Sequence, residues 1–224
     1  MLEKRHAWDT LLYAAFVCMV LDHLAILLPQ YDTSLRSVGR LAFPWFAWSL
    51  GHSLTRHREV PWNMLARMHH TGIVCVIPWL ILLPQMDVLN IFYTLLLSVL
   101  TISLLEPTWK KDLRFTVAAW CIVAYGAQHV DYGVTGVLLP VAFYAVYRYS
   151  KENNGDWDTW RWVFALVLWL SMVSDYPWAW LSLPLGWLIL RSSWVILRIH
   201  PGMFYYGYAL HVMALALASL MRKI

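Results

Sequence analysis

Charge is scarce in this chain. Asp, Glu, Lys and Arg make up 13% of it, against about 25% in an ordinary soluble domain. Hydrophobic residues make up 60% and mean hydropathy is +0.54. Too little polar surface exists to cover the molecule in water, so the chain reads as bilayer-embedded. Cysteine is scarce too. Cys18, Cys75 and Cys121 show neither CxxC nor Cys/His ligand spacing, which removes support for zinc and for a disulfide framework and leaves them as small apolar filler. GxSxG, HExxH, the Walker lysine loop and GxGxxG are also missing, so proteases, ATPases and dinucleotide enzymes lose support. No low-complexity tract or internal repeat is present. The longest polar stretch, Ser150 to Asp158, is too short for a domain, and residues 1–224 are expected to form one. Met1 to His6 is basic, but the apolar run after it can span and lacks a small-residue cleavage site. It is expected to act as an uncleaved signal anchor.

What the chain has in quantity is apolar runs. A span needs about 20 mostly apolar residues, which gives about nine: 8–28, 38–55, 63–83, 88–105, 113–130, 132–149, 159–174, 177–192 and 202–221. The expected fold is all-α, a polytopic membrane helix bundle. The alternative near 177–199 is one tilted span. Fifteen Trp and twelve Tyr suit interfacial aromatic belts. With the N-terminus cytoplasmic, the inner side receives Lys4, Arg5, Arg56, Arg58, Lys110, Lys111, Arg114, Arg148, Lys151, Arg161, Arg191 and Arg198. The outer side receives Arg36, Arg222 and Lys223. This is the positive-inside pattern. The same scatter argues against nucleic acid despite a pI near 9.0, because binding needs one basic patch.

Ionisable residues interrupt these runs. Asp22-His23 falls in the first, Arg40 opens the second, Arg67, His69 and His70 lie in the third, and His211 lies in the last. Burying such a group costs about 2.5–3.5 kcal/mol on insertion scales, which marks a functional site by default. Adjacent helix residues point about 100° apart, so Asp22 and His23 should meet different surroundings. A short hairpin brings Arg40 to the level of Asp22, which predicts an ion pair that leaves His23 as a base. The alternative is a helix-packing salt bridge.

Arg56 and Arg58, with Lys110 and Lys111, form an inner basic cluster suited to phosphates; charges that only orient helices and meet anionic lipid explain it equally. Arg67 and His70 share a helix face, and Arg67 can also snorkel to the inner surface. Asn90 and Thr94, at i and i+4, line a cavity or join helices. Tyr132 lies with His129 and Asp131 at an outer turn, which an exposed-loop role explains equally. Tyr208 and His211 share a face of the last span, a second proton-handling group or a packing histidine. A His base with Arg and Asp support suits transfer to an amine or hydroxyl, and equally a proton-coupled transporter.

Several blocks together resemble the TraX family, the membrane acetylases of F-type conjugative pilin. They are Met19-Val20-Leu21-Asp22-His23, Gly39 to Ala47, Leu54-Thr55-Arg56-His57, Asn63 to Arg67, Asn90 to Thr94, Asp131 to Leu138, and Pro201 to Tyr205 with Tyr208 and His211-Val212. The resemblance implies transfer of acetyl from acetyl-CoA, with no metal, to the N-terminal amine of processed pilin in the bacterial inner membrane. It implies His23, Asp22, Arg40 and His211 as catalytic groups. Arg56, Arg58, Arg67, Lys110 and Lys111 are then expected to hold the donor, and Asn90, Thr94, Tyr132 and Tyr208 to line the substrate cavity. An O-acetyltransferase for envelope glycans, a proton-coupled transporter and a pilin chaperone are the rival readings.

Overall fold

The computed structural model of the protein describes residues 2–84, 89–109, 112–149, 161, 163–165, 167–169, 177–192 and 201–222. The described residues fold almost wholly as helices: α1 (Leu2–Leu27), α2 (Asp32–Gly39), α3 (Ala42–Leu54), α4 (Trp62–Val74), α5 (Val76–Leu82), α6 (Ile91–Leu105), α7 (Leu113–Gly126), α8 (Gly133–Tyr149), α9 (Ser182–Arg191) and α10 (Pro201–Met221). No strand is present among them; a single β-bridge joins Leu89 to Val130.

The helix ends follow local chemistry. Asn90 caps α6 by accepting the Phe92 N–H, and Asp112 caps α7 by accepting the Phe115 N–H. Each satisfies a backbone donor that has no partner within its helix. α4 and α5 are one apolar run bent by 44° at Cys75. Pro78, in the first turn of α5, has no N–H to continue the hydrogen-bond ladder across the bend. Pro44 sits in the first turn of α3, where the missing donor costs little.

α6 is the hub. It packs against α3, α4, α7 and α8, and Phe92, Val99 and Ile102 along it are fully buried. Three of its hydroxyls are satisfied within the helix: Ser98, Thr101 and Ser103 donate to the carbonyls of Thr94, Leu97 and Val99. α1 packs against α2, α3, α9 and α10. Outward faces are apolar: Leu113, Val117, Trp120, Ile122 and Tyr125 of α7 are exposed, as are Ile77 of α5 and Leu210 and Leu217 of α10. Such a surface suits hydrocarbon, not water. Cys18 and Cys75 are buried filler, while Cys121 lies on that outward face.

Helix positions follow the expected runs, but crossings do not. Two described helices are long and apolar enough to cross a membrane, over Ala7–Leu27 and Phe204–Met221, or three with the bent α4–α5 pair. α6, α7 and α8 are apolar but shorter, α6 reaching only about 22 Å at 1.5 Å per residue. The expected nine spans are not confirmed: among the described residues, turns consume the ends of the apolar runs. Residues 113–130, for example, yield a helix that stops at Gly126. The expected second span is divided as well: Arg40 stands at the break between α2 and α3. Most of the run 159–174 lies outside the described residues.

Candidate functional site

Two cavities lie in line along α1 and α3. The larger, about 260 Å³, is lined by Asp9, Leu12, Tyr13 and Phe16 of α1, by Phe46, Ser49, Leu50 and Ser53 of α3, by Met64, Arg67 and Met68 of α4, by Leu95, and by Phe204 and Tyr205 of α10. The smaller, about 30 Å³, is lined by Met19, Asp22 and His23 of α1, by Gly39, by Ala42, Phe43 and Phe46 of α3, and by Ile91, Asp131, Tyr132 and Tyr208. The α1 positions recur every three or four residues, so they form one helical stripe. Asp9 and His23 are about 21 Å apart along it. The α3 positions form a matching stripe. Phe46 belongs to both cavities and packs on Phe204 with ring centroids 4.7 Å apart, so it stands between them.

The smaller cavity gathers most of the chemistry. The expected ion pair is present, with Arg40 Nε 3.6 Å from Asp22 Oδ1. It is loose, and Arg40 has a closer partner: its Nη1 donates to the Tyr132 hydroxyl at 2.8 Å. The Tyr132 ring stacks on Phe43, centroids 4.2 Å apart and nearly parallel. Tyr132 adopts φ +63° and Gly133 φ +56°. A left-handed conformation at a tyrosine costs about 1–3 kcal/mol and needs surrounding contacts to hold it. Those contacts are visible. The Asp131 carboxylate accepts the Tyr132 N–H, Thr94 Oγ1 donates to the Asp131 carbonyl at 2.7 Å, and the Leu89 backbone bonds His129 and Asp131.

Asp22 and His23 do face different neighbours, yet both reach the same cavity. Asp22 meets α2 and Arg40; His23 turns to α10 and α5. His23 Nδ1 lies 2.7 Å from His211 Nε2, and the rings are parallel with centroids 5.0 Å apart. Trp79 and Tyr208 set their rings edge-on to His23 at 5.5 and 6.0 Å. His211 Nδ1 is 3.3 Å from the Gly207 carbonyl oxygen. Tyr208 is fully buried, and its hydroxyl has no hydrogen-bond partner among the described residues. An unsatisfied buried hydroxyl is costly, and this one belongs to a cavity-lining residue.

Several expected site residues stand away from the two cavities. Asn90 lines neither cavity; its side chain caps α6 and donates to the Gly72 carbonyl. Thr94 also lines neither and holds the Asp131 turn instead. Both are i, i+4 on one face, but that face meets protein. Arg56 and Arg58 are exposed in the loop after α3 and are absent from the larger cavity's lining. Lys110 and Lys111 lie outside the described residues. Of the three expected donor-binding residues that are described, Arg67 lines it, with its guanidinium 5.7 Å from the Tyr205 ring centroid. Sequence reasoning did not single out Phe46, Trp79 or Ser49. The hydroxyl of Ser49 is buried beside the larger cavity without a partner among the described residues. Their only signal was spacing: Phe46, Ser49 and Ser53 recur at helical intervals with Phe43.

The family profile described as "TraX protein" matches residues 7–219. The chain belongs to the TraX family. Among curated relatives it is similar to Protein TraX of Escherichia coli, 27% identical over 141 residues, which covers 62% of this chain and 56% of that protein. The match thus spans little more than half the length of that TraX relative. No solved structure matches the chain. The TraX profile takes in α1 through α10 nearly complete, and every residue lining the two cavities falls within it.

Proposed function

We propose that the protein is a multi-pass inner-membrane acetyltransferase that moves acetyl from acetyl-CoA to the N-terminal amine of processed conjugative pilin. One observation carries the reading: two cavities aligned along α1 meet at Phe46, one larger and mostly apolar, the other small and lined by His23, Asp22, Tyr132 and Tyr208, whose hydroxyl has no partner among the described residues. With the N-terminus cytoplasmic, the larger cavity lies on the side where acetyl-CoA exists and the smaller one nearer the face where a processed amine arrives. TraX membership favours pilin as acceptor.

The larger cavity suits the slender arm of the donor. Its walls are mostly apolar, and Arg67, Asp9 and the hydroxyls of Ser49 and Ser53 supply polar groups along them. Arg56, Arg58, Lys110 and Lys111 would meet the phosphates outside it. In the smaller cavity the acceptor's neutral amine attacks the thioester carbonyl. The N–C bond forms, the amine proton passes to His23, the C–S bond breaks, and the departing sulfur takes that proton as a thiol. An α-amino group has a pKa of about 7.7–8.0, so the neutral form is accessible at neutral pH. Tyr208 is the donor for the carbonyl oxygen as negative charge develops on it. Arg40, held by Tyr132 and Asp22, adds a positive field.

Intact mass of pilin from cells with and without this protein tests the proposal. An N-terminal acetyl increment that depends on the protein is the expected result. Unmodified pilin in both strains contradicts it, and an acetylated envelope glycan in its place favours O-transfer.

A further inference from the structure

The two histidines are arranged so that one dictates the proton position of the other. A carbonyl oxygen only accepts hydrogen bonds, so His211 Nδ1, 3.3 Å from Gly207 O, carries that ring's proton. A neutral imidazole holds one ring proton, so His211 Nε2 is an acceptor. The atom 2.7 Å away is His23 Nδ1, which must therefore donate. His23's single proton then sits on Nδ1, and its Nε2 keeps a lone pair. His23 lines the smaller cavity while His211 does not.

We infer that His211 is a positioning residue that fixes His23 in the Nδ1–H tautomer, leaving Nε2 as the nitrogen that takes the acceptor's proton. The order is Gly207 carbonyl, His211, His23, cavity. It has the logic of a serine-protease triad, in which a carboxylate orients the histidine. Here a helix carbonyl reaches it through a second imidazole. No extra charge enters the apolar interior, which avoids the desolvation cost of a buried carboxylate. When Nε2 takes a proton, the Nδ1–H bond to His211 becomes charge-assisted and shortens. The parallel rings and the edge-on Trp79 and Tyr208 hold the pair in register.

This inference rests on the acyl-transfer reading for its consequence, but not for its first test. Nitrogen-15 spectra of the full-length protein, labelled at histidine and held in lipid nanodiscs, report which ring nitrogen of each residue is protonated. His23 is expected to show a protonated Nδ1 and a bare Nε2. His211→Leu should release it to a mixture dominated by Nε2–H. His211→Gln, whose amide oxygen accepts from Nδ1–H, should restore the wild-type pattern. In acetyl transfer the Leu variant should lose about 10²-fold or more in kcat, with the KM for acetyl-CoA unchanged, and the Gln variant should recover most of it. A wild-type His23 with its proton on Nε2 overturns the inference, as does a Leu variant with unaltered tautomer. Wild-type protein that shows the stated tautomer yet transfers no acetyl leaves the inference standing and removes the proposed function.

Discussion

Gly39 is pressed against the backbone of Asp22. A Cβ built on Gly39 would stand 2.6 Å from Asp22 Cα and 2.8 Å from Asp22 N. Backbone atoms of a helix cannot step aside as a side chain can, so this contact fixes how closely α2 approaches α1. Arg40 follows immediately, and its guanidinium reaches Asp22 only because the glycine admits that approach.

The first prediction concerns that contact. Gly39→Ala should push α2 off α1 and separate Arg40 from Asp22. The expected destabilisation is about 1–3 kcal/mol, the usual scale for overpacking, read as a lower thermal midpoint in detergent. Acetyl transfer should fall with it. A wild-type midpoint and wild-type activity in Gly39→Ala would show that the approach is not needed.

Tyr132 is the closer partner of Arg40, and its removal should therefore matter. Tyr132→Phe keeps the stack on Phe43 but deletes the acceptor of the Arg40 Nη1–H bond. The expected cost is about 1–3 kcal/mol for a charged donor left short of a partner. Activity should drop while expression remains. Equal stability of the Phe variant and wild type would show that the Tyr132 hydroxyl does not hold Arg40.

At the other end of the bundle, Glu106 is buried between α6 and α8 and accepts from Thr108, Tyr144 and Arg148. Burial opposes its ionisation, but the hydrogen bonds outweigh burial and hold its carboxyl down at about 2, from an ordinary value of 4.5. The folded state thus binds the proton less tightly than the unfolded chain. Its stabilisation is complete above pH 4.5 and is lost as pH falls toward 2. Glu106→Gln should lower the thermal midpoint at pH 7 and flatten its decline between pH 5 and pH 3. A parallel shift at both pH values would mean that the carboxylate contributes only by packing.

Local features of this molecule were readable from its residues, and relations between distant segments were not. Apolar runs located the helices, and the short interval between Asp22 and Arg40 located their pairing. Tyr208 and His211, three apart, were bound to share a helix face, and their rings lie 5.1 Å apart. The His23–His211 contact joins residues 188 apart, which no periodicity encodes. Asn90 was open to two readings because a helix cap and a cavity-lining amide look alike in sequence; its position immediately before α6 and its bond to the Gly72 carbonyl show it capping one helix and joining another. α2 falls mostly between the expected spans 8–28 and 38–55, because its Asp, Thr, Ser and Arg interrupt the apolar pattern. It forms where Arg36 and Asp32 pair at i, i+4. Charge drew attention to Arg56 and Arg58, but charge alone does not say that they stand in the exposed loop after α3, outside the larger cavity's lining.

The larger cavity should carry the donor. Ser49→Trp places a large ring where the Ser49 hydroxyl meets that cavity. It should abolish protection of the protein by acetyl-CoA against thermal unfolding, while the His23 tautomer spectrum stays as in wild type. Undiminished protection in the Trp variant would move the donor site out of this cavity.

The central claim is that His23 is the base of an acetyl transfer. Its most direct measurement is the acetylated fraction of pilin, by intact mass, in cells making wild type or His23→Ala at matched membrane levels. The account predicts a fall of about 10²-fold or more in the transfer rate for His23→Ala, with acetyl-CoA binding retained. Pilin acetylated at the wild-type rate by the His23→Ala protein would contradict it.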